Sequence, residues 1–307
     1  MFVGIDVSKH RLDVHLRPSG EAFAVPRDGE GLAALVGRLQ ACPVELVVVE
    51  ATGGFEMVVA AALAAAGLPL AVVNPRQVRD FARSTGRLAK TDALDAAIIA
   101  RFAEAIRPEP RPLPDAEAQL LGEFVARRRQ LVDTLVAEGN RRQRLTHPRL
   151  IAGSDQVVAV LQAQLDELEG EIDAAIRRSP AWRERENLLR TVPGIGPATA
   201  RTLIAELPEL GSLGRREIAS LAGLAPINRD SGTLRGRRTI AGGRAPVRTA
   251  LFMSIMVALR HNLPLHATYQ RLRQAGKPAK VAIVACMRKL LTIANAIIRD
   301  SKPWQTA

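Results

Sequence analysis

Aromatic side chains are scarce in this chain: they make up 3% of its 307 residues, with a single tyrosine, Tyr269. Its cores are therefore aliphatic, and a hydrophobic content of 47% supplies enough for two or more domains. Cysteine is nearly absent. Cys42 and Cys286 are far apart, which excludes a disulfide framework and any zinc-ligand spacing and makes the cytoplasm the expected compartment. No apolar run is long enough to span a membrane, because the longest, MVVAAALAAAGLPLAVV, is broken by Gly67 and Pro69. No basic start followed by an apolar signal segment precedes the first strand. Acids are outnumbered, 31 against 43 Lys and Arg, giving a formal charge of +12 and a pI near 10.9. Such an excess points to a polyanionic partner, of which nucleic acid is the usual one.

The acids that are present fall in telling places. FVGIDV is a short apolar run with one carboxylate, readable as a buried central strand with Asp6 at its exit. ELVVVE repeats the arrangement with Glu50 at the strand end. In KTDALDAAIIARFAEAI, Asp92 and Asp95 are three residues apart in a helix-forming segment, so both project from one face. A helix laid across that sheet edge would complete a four-carboxylate cluster. Such oxygens are hard ligands suited to magnesium or manganese, and four like charges would repel strongly without cations between them. Each acid taken singly reads equally well as a solvated carboxylate at a strand end or helix start. Asp13, in the alternating stretch RLDVHL, is expected to point outward from a second strand.

The first part alternates as an α/β domain, with strands near 2–7, 11–17, 21–26 and 45–50, helices near 29–41 and 54–66, a fifth strand in LAVVNP and a helix from Pro75. Three strands in succession followed by alternating helix and strand is the order of an RNase H-like fold, a fold known for two-metal phosphodiester chemistry with acids on the first and fourth strands and a later helix. Four prolines between 108 and 114 then mark a linker, after which the chain becomes helical. The expected organisation is an RNase H-like domain over 1–107, a helical coiled-coil region over 108–186, and a mainly helical C-terminal domain over 187–307.

In the middle region Val158, Leu161, Leu165, Leu168, Ile172 and Ile176 recur at spacings of three and four, an apolar stripe that suits either a dimerisation arm or an intrachain helix pair. Arg127, Arg128 and Arg129, then Arg141, Arg142 and Arg144, form two basic clusters that suit phosphate contacts or a solvated helix face. In TVPGIGPATA, Gly194 and Gly196 suit a helix-hairpin-helix-like turn offering amides to a phosphate, or simply a helix cap. Further on, Ser231 stands in a glycine-rich loop with Arg229, Arg235, Arg237, Arg238, Arg244 and Arg248. That serine is either a turn residue bonding its own backbone or a nucleophile whose attack on a phosphodiester conserves the bond energy in a phosphoserine ester. Met253, Met256 and Met287 are expected to fill the core. Tyr269 lies in a helical QRLRQ context without a glycine-rich loop, which sets it apart from Ser231.

GIDVSK, VVVEATGGFE, NPRQVRDFARSTGRLAKTDALDA, PGIGPATA, LAGLAPINRDSGTLRGRR and GGR together resemble the DEDD transposases of insertion sequences, relatives of pilin-gene inverting recombinases, over essentially the whole chain. The resemblance implies an RNase H-like domain similar to Holliday-junction resolvases, joined through a coiled coil to a C-terminal transposase domain. It implies that Asp6, Glu50, Asp92 and Asp95 bind magnesium and are catalytic, that Ser231 is the nucleophile, and that an element-encoded noncoding RNA guides target and donor choice. Lys90 and Thr91 are retained beside the acids. Exchange of four DNA strands calls for two or four protomers acting together. The alternative for the same acids is a junction-resolving nuclease using water as nucleophile.

Overall fold

The computed structural model describes residues 1–86, 92–110, 113–228, 230–236 and 238–305, with 92–94 and 234 described for their backbone only. The chain divides into two compact units, Met1–Pro114 and Asp115–Ala307, with the proline-rich segment at the boundary.

The first unit contains β1 Phe2–Val7, β2 Arg11–Arg17, β3 Ala22–Pro26, α1 Gly29–Gln40, β4 Leu46–Glu50, α2 Glu56–Ala65, β5 Leu70–Val73, α3 Pro75–Ser84 and α4 Asp92–Ile106. Its strands form one mixed sheet in the order β3-β2-β1-β4-β5, antiparallel among the first three and parallel from β1 through β4 to β5. This mixed α/β architecture is consistent with the RNase H-like expectation. Strand alternation sends the odd residues Val3, Ile5, Val47 and Val49 into a core with Leu35, Leu39, Val59 and Leu63 of α1 and α2. Even residues Phe2, Leu46 and Val48 pack under Val78, Ala82, Ile98 and Phe102 of α3 and α4. Both faces are thus covered, which is why β1 and β4 read as nearly continuous apolar runs. Gly4 lets α4 lie directly on the sheet: a Cβ there would stand 2.1 Å from the Ala100 nitrogen and 2.4 Å from the Ala96 carbonyl oxygen.

The second unit begins with a hairpin of two long helices, α5 Ala116–Arg142 and α6 Pro148–Arg178, followed by α7 Pro180–Arg190, α8 Pro197–Glu206 and α9 Arg215–Leu221. Short strands β6 Pro226–Ile227, β7 Asp230–Ser231, β8 Leu234–Arg235 and β9 Thr239–Ile240 come next, then α10 Ala245–His261, α11 Leu263–Gln274 and α12 Ala279–Asp300. Of the apolar stripe on α6, Leu165, Ile172 and Ile176 are buried, the last two in the core of this unit. An ion triad ties three helices together, with Arg201 of α8 bonding Glu186 of α7 at 2.9 Å and Asp173 of α6. By length and composition α12 is apolar enough to cross a membrane, yet Cys286, Leu290, Leu291 and Ala294 are fully buried in this core. Tyr269 packs against the same core.

Two expectations from the sequence are corrected. Asp13 is 5% exposed instead of outward-facing, because β2 is covered on its polar face as well. It stands opposite Asp6 in the β1–β2 ladder and is bonded by Arg11 at 2.7 Å. Met253 and Met256 do not fill the core; they are 63% and 43% exposed on the outer face of α10, whose inner face is formed by Val247, Leu251, Ile255 and Ala258. Met287 is buried as expected.

Candidate active site

β1 and β4 run parallel with Ile5 beside Val49, so Asp6 and Glu50 are the next neighbours at the carboxyl ends of both strands. Adjacent strands lie about 4.8 Å apart, and both residues fall on the even face beneath α4. The contact of Gly4 with Ala96 and Ala100 places the start of α4 over that end of the sheet, which carries Asp95 to the same spot. Asp6, Glu50 and Asp95 line one cavity of about 240 Å³, together with Ser8, Thr52 and Arg79. Each of these three carboxylates is partly exposed, as a group that must meet a ligand has to be. Asp92 opens α4 one turn before Asp95; its side chain, like Lys90 and Thr91, lies outside the described residues. Among the described residues no three His, Cys, Asp or Glu side chains are already gathered closely enough to enclose an ion. The donor set nevertheless suits a hard divalent cation, since the three acids offer only carboxylate oxygens.

The loop after Glu50 is held from behind by a residue the sequence reading missed. Buried Glu56 accepts hydrogen bonds from the Thr52 nitrogen at 3.0 Å and the Gly54 nitrogen at 2.8 Å, closing a turn that Gly53 and Gly54 make in the left-handed region. Residue order does not single out Arg79, and it places Asp13 outward. Asp13 looked solvated because its strand alternates. Arg79 had a signal, the recurrence of Arg76, Arg79 and Arg83 at helical spacing in NPRQVRDFARS.

Ser231 belongs to the second unit, where the structure replaces the expected loop with an antiparallel ribbon. Pro226 pairs with Ile240 and Ile227 with Thr239 at its base, and Asp230 with Arg235 and Ser231 with Leu234 toward its tip. Gly232 turns the tip with a positive φ, and Ser231 is exposed beside it. The base is clamped by backbone. A Cβ on Gly223 would lie 2.2 Å from the Gly242 oxygen, and one on Gly243 would lie 2.1 Å from the Gly223 nitrogen. Arg248 donates to the Gly242 and Ala222 carbonyls, and Arg244 makes two 2.6 Å bonds to Glu209. These two arginines therefore build the ribbon's base, whereas Arg235 and Arg238 are exposed. Arg229 and Arg237 lie outside the described residues.

The two basic clusters are largely engaged within the second unit. Arg128 bonds Glu169 at 2.7 Å, Arg129 bonds Glu206 at 2.9 Å, Arg141 bonds Glu138 at 2.9 Å, and Arg142 pairs with Asp155. Among the described residues Arg127 reaches only glutamine oxygens, at 3.4 to 3.5 Å, and Arg144 is exposed. Gly194, with φ of 105°, brings the α7–α8 turn against Ala258, where a Cβ would come within 2.4 Å. Gly196 is the N-cap of α8 and makes no side-chain cap, so the first amides of that helix have no side-chain acceptor at the cap.

Comparisons with known proteins fit this arrangement. A DEDD model of IS110, described as a transposase, matches residues 3–146, and one described as transposase IS116/IS110/IS902 family matches residues 186–270. The pilin gene-inverting proteins of Moraxella bovis and Moraxella lacunata are each 28% identical over 314 residues, covering 99% of this chain and 97% of theirs. The insertion element IS110 protein of Streptomyces coelicolor is 28% identical over 141 residues, 45% of this chain and 34% of its own length. Matches in both units define an enzyme of the transposase and recombinase class, acting on DNA. The chain belongs to the IS110/IS116/IS902 family of transposases.

Proposed function

We propose that this transposase cuts and rejoins DNA by a shared mechanism of acids and serine. The observation that carries the reading is the meeting of Asp6, Glu50 and Asp95 in one cavity at the ends of parallel strands. With Asp92 they would hold magnesium or manganese, which supplies Lewis-acid stabilisation of charge on a reacting phosphoryl group. Ser231 is the nucleophile. Its Oγ forms a bond to phosphorus as its proton passes to a base, the bond to one deoxyribose oxygen breaks, and that oxygen leaves as a protonated hydroxyl. One P–O ester is made for each one lost, so a second DNA hydroxyl can reverse the step on a new partner. Arg235 and Arg238 support charge near the serine. The basic balance of the chain, the exposed arginines and the family resemblance support double-stranded DNA as substrate and a noncoding guide RNA as partner, with two or four protomers acting together in the cytoplasm.

Trapping of covalent protein–DNA adducts tests the reading. Ser231→Ala should form no adduct while binding DNA nearly as well as the parent, and Asp6→Ala should lose both adduct and recombination. Cutting by Ser231→Ala without an adduct would replace the serine mechanism with hydrolysis by water.

A further inference from the structure

Many arginines of this protein hold carboxylates. Arg128, Arg142, Arg201 and Arg244 hold carboxylates in the second unit, and Arg17 holds Glu104 in the first. Arg79 is different. It sits in α3 one residue after Val78 and three before Ala82, the two buried side chains that key this helix onto the sheet. From that edge of the packed face its side chain lines the cavity that Asp6, Glu50 and Asp95 share, yet it is exposed. Among the described residues no carboxylate lies within ion-pair distance of its guanidinium, a group with five N–H donors and no acceptor. A cation held in the wall of a carboxylate cavity without an ion-pair partner is placed for an anion that enters from outside. Guanidinium geometry matches two non-bridging oxygens of a phosphate.

Resting on the acid-site reading above, the geometry points to Arg79 as the residue that grips the reacting DNA phosphodiester. It holds the non-bridging oxygens from the α3 side while the carboxylates act from the sheet side, and it opposes the negative charge that builds on those oxygens as the bond to phosphorus forms. α3 is seated on the sheet through Val78 and Ala82, which places the grip at the cavity edge.

The test uses full-length protein, magnesium, and duplexes carrying an element end, with either a normal phosphodiester or a methylphosphonate at the reacting position. Arg79→Ala should slow single-turnover adduct formation on the phosphodiester roughly 100-fold, a loss of the size seen when one oxyanion donor is removed. Duplex affinity should change little, with the salt slope lowered by about one. Arg79→Lys should restore part of the rate. On the methylphosphonate, which lacks one charged oxygen, wild type and Arg79→Ala should differ by less than about threefold if the arginine acts on that charge. A normal rate for Arg79→Ala on phosphodiester, or an equal loss on both substrates, overturns the assignment. Asp6→Ala separates the two readings. If it retains full activity, the acid site itself is wrong; if it is inactive while Arg79→Ala is normal, only the role of Arg79 falls.

Discussion

Replacing Gly4 with alanine probes the contact that sets the acid site. In the native packing the new methyl would stand 2.1 Å from the Ala100 nitrogen and 2.4 Å from the Ala96 oxygen, where ordinary contact begins at 3.4 Å. Both obstacles are helix backbone, so no side chain can swing aside. α4 must lift by more than about an ångström, and Asp95, one residue before Ala96, must lift with it. Overpacking of this kind costs about 1–3 kcal/mol, and displacement of a reacting group by about 1 Å costs roughly 100-fold in rate. Urea unfolding should show the first effect and recombination of an element-bearing plasmid the second. Gly37→Ala in α1 is the control: its Cβ meets nothing within 4 Å, and removing a helical glycine should add about 0.5–1 kcal/mol without touching activity. Parental stability and activity in Gly4→Ala would refute the argument that a glycine-licensed contact positions Asp95.

Two further predictions concern the second unit. Arg201→Met strands Glu186, whose side chain is 9% exposed; stability should fall by about 3–5 kcal/mol, and adding Glu186→Leu should recover most of it. A single-variant loss below about 1 kcal/mol would mean the triad contributes little. In the hairpin, the Ser154 hydroxyl and then Arg141 hold the Glu138 carboxyl below its ordinary range, and Arg142 does the same for Asp155. Because both folded-state values are lowered, their support is complete at neutral pH. It begins to fade near the ordinary carboxylate value of about 4 and is gone below the lowered ones. Hydrogen exchange over 134–158 should therefore quicken on acidification through that window; unchanged protection would refute the link.

Local pattern alone determined much of this protein. The runs at 2–7, 46–50 and 70–73 specify buried strands, because each depends on side-chain periodicity within a few residues. Residue order also marked Asp6 and Glu50 as strand-end acids. Only tertiary structure decided which polar faces meet water. RLDVHLR alternates as a half-exposed strand does, yet α4 covers its polar face and buries Asp13. The α10 methionines have the hydrophobicity of core residues, but the face they occupy is left over once Val247, Leu251 and Ile255 are packed. Basic runs on α5 resemble a phosphate-binding stripe until α6 folds back and supplies Glu169 and Asp155 as partners. Arg79 is the converse case. In sequence it is one arginine among many, and its place beside three carboxylates exists only because α3 and α4 share one face of the sheet. Periodicity fixes which way a side chain points along its own element; what it points at depends on segments tens of residues away, and no local pattern contains that.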